Sequence, residues 1–143
     1  MRPADLELRL ETDPDPVDIA ALADGLTEHA LPATGVAGFH PIAVFVRDDH
    51  GAIIAGVSAL INWTWLHVQL VWVSAELRHA GVGSRLLQRL ESEARQRGCE
   101  HAHLDTFSFQ ARPFYQRHGY ELFGELADYP PGHRRFFLRK ELV

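Results

Sequence analysis

One cysteine, Cys99, is all the sulfhydryl chemistry the chain has, so no internal disulfide framework holds it together. That composition fits a reducing cytoplasm. Positive charge is in the minority: 14 Lys and Arg against 19 Asp and Glu leave a formal charge of −5. A nucleic-acid partner would want a basic face, whereas mild acidity suits a cationic substrate such as an amine. No apolar run approaches the roughly 20 residues of a membrane helix. The N-terminus lacks the basic patch and apolar stretch of a secretory signal. Repeats and low-complexity linkers are absent as well. The 143 residues therefore read as a single domain, 1–143, long enough to bury about 68–70% of its unfolded surface. With 46% hydrophobic and 23% charged residues the chain has the balance of a globular protein.

Local patterns divide the chain into alternating elements. Leu6-Glu7-Leu8-Arg9-Leu10 alternates at period two and predicts a first strand. Asp13-Pro14-Asp15-Pro16 stops it and supplies helix-start chemistry. Ile19, Leu22, Ala23 and Leu26 then make a helical stripe that breaks up near Pro32 and Gly35. Two apolar runs, Ile42 to Arg47 and Ala52 to Leu60, flank Asp48-Asp49-His50-Gly51 and predict a hairpin. Trp65 to Val73 reads as the next strand. Val82, Leu86, Leu87, Leu90 and Ala94 share one face of a helix ending at Gly98. Ala102 and Leu104 mark another strand, and Ala111 to His118 a short helix with Pro113 tolerable only in its first turn. Leu122 to Leu126 and Phe136 to Leu138 close the chain as strands around Pro130-Pro131-Gly132.

Arg78-His79-Ala80-Gly81-Val82-Gly83-Ser84 carries the most chemistry. It joins a strand to a helix, and its two glycines let the backbone turn tightly and approach a ligand. A helix starting there aims unpaired N–H groups and a positive dipole end at whatever lies over the glycines. The natural occupant is a phosphate or pyrophosphate. A P-loop would need Gly-Lys and then Ser or Thr, and no lysine occurs here. A dinucleotide fold would need a third glycine where Leu86 stands.

What remains, Arg-x-x-Gly-x-Gly, resembles the pyrophosphate loop of the GNAT N-acetyltransferase superfamily, written Arg/Gln-x-x-Gly-x-Gly/Ala. Ala111-Arg112-Pro113-Phe114-Tyr115-Gln116-Arg117-His118-Gly119-Tyr120 resembles a second motif of that family, Ala-x-x-x-Phe/Leu-Tyr-x-x-x-Gly-Phe/Tyr. The order of predicted elements is similar too. On this resemblance the fold class is α/β, the GNAT fold: a mixed, mostly antiparallel sheet of six to seven strands with helices on both faces.

The resemblance implies acetyl-coenzyme A as cofactor and a primary amine as acceptor, with direct attack in a ternary complex. Backbone groups of Arg78, His79, Ala80, Gly81, Val82, Gly83 and Ser84 are then expected to hold the pyrophosphate, with the Ser84 hydroxyl added. Leu70, Val71, Trp72 and Val73 would present free backbone groups to the pantetheine arm, because the family's strands splay beside them. One such N–H polarises the thioester carbonyl. Ser108 stands where many family members carry an asparagine that contacts the same arm. Tyr115 matches the family's proton donor to the departing thiolate. A phenol of pKa about 10 facing a thiol of pKa about 8.5 makes full transfer uphill by roughly 1.5 units, or ~2 kcal/mol, so hydrogen bonding shares the work. Tyr120 occupies the family's structural aromatic position and is expected in the core.

An attacking amine arrives as ammonium, and a group titrating near neutrality should take its proton. His67, six residues before Val73, is the candidate base, since an unperturbed imidazole titrates near 6.5. Counted at period two, it shares a face with Gln69, Val71 and Val73. Asp105 and Glu76 are lesser candidates. The acceptor cleft implied by the fold nominates Phe39, Trp63, Trp65, His67, Gln69, Tyr129 and His133, whose aromatics would suit a cation. His101 and His103 share a strand face, but no third ligand stands at metal-binding spacing, so no metal is expected. Late strands often pair in the family, which makes a homodimer an expectation. The alternative is a non-catalytic acyl-coenzyme A sensor that kept the loop and lost the chemistry.

Overall fold

The computed structural model describes residues 1–35 and 39–143. The chain divides into two compact units, Met1–Gly38 and Phe39–Val143. In the first, helix α1 spans Pro16–Thr34. Its start follows the expected chemistry: the Asp15 carboxylate accepts from the Val17 N–H at 2.9 Å, and Pro16 opens the first turn, where its missing donor costs nothing. Gly35 ends the helix in the left-handed conformation, φ 73°. Residues 6–12 form no strand, contrary to the period-two reading. Alternation describes a face, but a strand exists only where a second backbone completes its ladder.

The second unit holds β1 (Phe39–Arg47), β2 (Ile53–Asn62), β3 (Trp65–Val73), α2 (Val82–Gln96), β4 (His101–Phe107), α3 (Arg112–Arg117), β5 (Glu121–Ala127) and β6 (Arg134–Glu141). They make a six-stranded sheet in the order β1-β2-β3-β4-β6-β5. All pairs are antiparallel except β3 with β4. The β1–β2 turn forms as the sequence predicts. The Asp48 carboxylate accepts from the N–H groups of His50 and Ala52, at 2.8 and 3.0 Å.

One face of the sheet supplies the core. Ala55, Val57, Ala59 and Ile61 of β2, Leu66 and Val68 of β3, Ala102 and Leu104 of β4 and Leu138 of β6 are buried there. Leu86, Leu87, Leu90 and Ala94 of α2 pack against them along the predicted stripe. Phe114 and Tyr115 bring α3 to the same core. A buried carboxylate ties these elements together: Glu91 of α2 accepts from the Tyr120 hydroxyl and from Lys140 Nζ of β6, both at 2.7 Å. Tyr120 is thus the core residue expected, and burial together with the Glu91 charge drives its phenol far above the ordinary range.

Two irregularities of β3 shape what lies beside it. His67 pairs with Leu60 and Val68 with Ala59, but the next partner, Ser58, meets Leu70. Gln69 is an extra residue, a β-bulge that reverses the alternation. Val71 and Val73, opposite Val57 and Ala55, therefore face the core, while His67, Leu70 and Trp72 lie on the other side. The expected sharing of one face by His67, Gln69, Val71 and Val73 is corrected by that inserted residue. The second irregularity is the brevity of the β3–β4 ladder. It runs Trp65↔His101, Leu66↔Ala102 and His67↔His103, and stops.

Candidate active site

Beyond His67 the strands separate, so β3 from Val68 to Val73 has no ladder partner on its β4 side. Backbone donors and acceptors on that edge have no strand partner. The Val73 carbonyl is already engaged by the side chain of Arg78, whose Nε donates to it at 3.1 Å. This fixes the loop that follows. His79 and Gly81 both adopt positive φ, 64° and 78°, and Gly81 opens α2 with no side chain capping it. The first intrahelical bond runs from Arg85 N–H to the Gly81 carbonyl at 3.1 Å. The N–H groups of Val82, Gly83 and Ser84 thus point out of the helix with its positive dipole end.

These parts enclose a cleft of about 720 Å³. Of the residues expected at a cofactor, Val71, Trp72, Val73, Arg78, His79, Gly81, Val82, Gly83, Ser84 and Tyr115 line it. Leu70 and Ala80 do not. Ser108 is also outside: its hydroxyl accepts from Arg134 N–H at 3.0 Å and contacts His133 Nδ1 at 3.1 Å, so it latches the β5–β6 connection. The Ser84 hydroxyl is likewise engaged, 2.8 Å from His118 Nε2, leaving its backbone N–H for the cleft. Burial pushes the His118 imidazole below its ordinary range, with Glu91 pulling the opposite way.

Sequence reasoning missed Leu77, Phe109, Gln110, Ala111, Phe114 and Arg117 on the cleft wall. Phe114 had a readable signal in Gly83. A Cβ at Gly83 would stand 3.4 Å from the Phe114 ring, so the glycine makes room for α3 against the first turn of α2. Tyr115 sits next to it, edge-on to Phe114 at 5.1 Å between ring centroids. Its hydroxyl has no hydrogen-bond partner among the described residues. Burial, and then the charge of Asp105, raise its pKa above the usual phenol value, so it is protonated throughout the neutral range.

On the sheet face away from the core, rings accumulate at the splay. His67 stacks on His103, and Trp65 stacks on His101. Asp105 accepts from Arg135 Nε and Nη2, both at 2.7 Å. The Arg135 guanidinium also donates to the Tyr129 hydroxyl at 2.9 Å. Phe109 brings His133 into the same group, edge-on at 5.0 Å. Trp65 and His67 thus lie on β3, and Tyr129 and His133 in the β5–β6 connection, but neither these four nor Gln69 line the cleft. Phe39 and Trp63 do not line it either. Phe39 pairs with Asn62 and Trp63 forms the β2–β3 turn, at the end of β3 away from the glycine loop, roughly 30 Å along the strand from Val73. The acceptor cleft implied by the resemblance had nominated both residues.

Residues 8–120 match the Acetyltransferase (GNAT) family. The chain belongs to that family. It is 43% identical over 117 residues to a blasticidin-S acetyltransferase from Streptomyces morookaense, covering 79% of this chain and 86% of that one. A crystal structure from Agrobacterium tumefaciens superposes with a TM-score of 0.89 at 29% identity, over 95% of this chain and 99% of the other. That of nourseothricin acetyltransferase superposes at 0.62 with 25% identity, over 72% and 66%. The sheet with its helices is thus the GNAT fold, and the chain is an acetyltransferase using acetyl-coenzyme A. No described helix is long and apolar enough to cross a membrane.

Proposed function

We propose that residues 1–143 act as one domain that moves the acetyl group of acetyl-coenzyme A to a primary amine, by direct attack in a ternary complex. The acceptor we infer is a small amine-bearing antibiotic of the blasticidin S kind. One observation carries the chemistry: an unsatisfied strand edge, an uncapped helix start and a free tyrosine hydroxyl converge on one cleft. Each supplies what acetyl transfer needs and none is required by packing.

The cleft fits the acetyl donor. Three outward N–H groups at Val82, Gly83 and Ser84 suit a pyrophosphate, and the absence of a side chain at Gly81 leaves open space above them. The unpaired edge of β3 from Val71 to Val73 would run beside the amide-bearing pantetheine arm, and a backbone N–H there would polarise the thioester carbonyl. When bound, the donor supplies an electrophilic carbonyl carbon and a sulfur leaving group. His67 takes a proton from the acceptor ammonium, freeing the nitrogen lone pair for that carbon. As the C–S bond breaks, Tyr115 donates its hydroxyl proton, fully or as a hydrogen bond, to the departing sulfur.

The acceptor class draws support from the relative named for blasticidin S and from the aromatic rings at the splay, which suit a cationic ligand. Incubation with acetyl-coenzyme A and blasticidin S, followed by thiol release and mass spectrometry, is the test. The expected result is stoichiometric thiol release and a product heavier by one acetyl group, blocked at its amine. Thiol release with nourseothricin-type or polyamine acceptors but none with blasticidin S would replace the acceptor. Release with no acetylated amine would overturn transfer to nitrogen.

A further inference from the structure

His103 has no part in the roles assigned above, yet its surroundings give it one. It pairs with His67 on the last rung joining β3 to β4. The two imidazoles lie face to face, 4.3 Å between centroids and 12° from parallel. Trp65 closes another side of His103, edge-on at 5.6 Å. No ring nitrogen of His67 or His103 has a hydrogen-bond partner among the described residues. The charged and titratable neighbours on this face are His101 and Asp105 of β4, Arg135, Arg139 and Glu141 of β6, and Glu121 of β5 opposite Arg139. Asp105 is held by Arg135, and Glu141 by His101 at 2.6 Å, so both nearby carboxylates are already paired. Burial first, and then His67, push the His103 imidazole below its ordinary range, against the opposite pull of Asp105.

We propose that His103 is a positioning residue for acetyl transfer: stacked on His67, it fixes that ring at the mouth of the splay and restricts the pair to one proton. The inference rests on reading His67 as the proton acceptor. Two parallel imidazoles at this spacing share a single positive charge readily and repel a second. With His103 resident and neutral, a proton that reaches His67 comes from the incoming ammonium and passes on to solvent once the acetylated product has left.

The test combines imidazole NMR titrations of the full chain with rate profiles, using acetyl-coenzyme A and blasticidin S as substrates. His67→Phe and His103→Phe each keep a ring in the stack and remove its charge. In His67→Phe the His103 signal should titrate at higher pH than in the unmodified protein, because a like charge has left the stack. His103→Ala, which removes the stacked ring, should lower kcat with acetyl-coenzyme A affinity unchanged, and His103→Phe, which restores a ring, should recover most of it. An unmoved His103 titration overturns the coupling. Equal loss of kcat in the Ala and Phe variants overturns the positioning role. His67→Gln isolates the underlying reading: full turnover in that variant, with the coupling intact in the unmodified protein, means that the proton acceptor was misassigned.

Discussion

Tyr115 sits where a side chain ordinarily offsets burial by hydrogen bonding, and among the described residues its hydroxyl has no partner. A phenol kept protonated by burial is a poor spontaneous acid but a constant donor to an emerging thiolate. Tyr115→Phe removes only the oxygen, so acetyl-coenzyme A should bind as before in a calorimetric titration while turnover falls about 10²–10⁴-fold. Equal turnover in the two proteins would strip Tyr115 of its role. Gly81 offers a second test. A Cβ there meets nothing within 4 Å, but the backbone φ is +78°. Gly81→Ala should therefore cost about 1–2 kcal/mol through conformation alone. Because the strained residue opens α2, acetyl-coenzyme A affinity should fall along with the urea midpoint, and a loss confined to stability would separate the loop from binding.

Elements differ in how much of themselves the sequence reveals. Helix starts and tight turns are local, so Asp15-Pro16 and Asp48 through Gly51 act in the structure as their chemistry dictates. The bounds of β3 and the buried stripe of α2 were legible for the same reason. Pairing is not local. Leu6 to Leu10 has a strand's alternation without a strand, and Gln69 carries no mark of the bulge that turns His67 away from Val71. Within the site, the glycine loop and Tyr115 could be read from motifs, whereas Phe109, Gln110 and Phe114 enter through the packing of α3 on Gly83. Glu91 is another product of long-range packing, a charge on the buried stripe that needs Tyr120 and Lys140 to be tolerated. Tyr120→Phe leaves one of its oxygens short of a donor and should lower stability by about 1–3 kcal/mol in urea unfolding. A change of a few tenths would mean that solvent replaces the phenol.

For the molecule as a whole, acid should be the weak side. Burial lowers the pKa of His103 and of His118 in the folded state. As pH falls through the ordinary imidazole range near 6.5, the unfolded chain takes up protons at these rings before the folded one does. Stability is therefore full above that range and is lost below it, down to the depressed folded values. The thermal midpoint should drop between pH 7.5 and about 5, and His118→Gln should flatten the decline. A midpoint independent of pH over that interval would show that neither ring resists protonation in the fold.

The strand order has a consequence during synthesis. β6 lies between β4 and β5, yet it is the last of the three to leave the ribosome. Until Arg134–Glu141 emerges, β5 has no neighbour and β4 is held to the sheet only by its short ladder with β3. The nascent chain thus exposes two strand edges that other chains can capture. A stop codon placed just before residue 134 should release an insoluble product, although the glycine loop, α2 and Tyr115 are all complete by then; recovery of that fragment in the soluble fraction would show that the edges protect themselves. Translation of β6 is what converts an aggregation hazard into an enzyme.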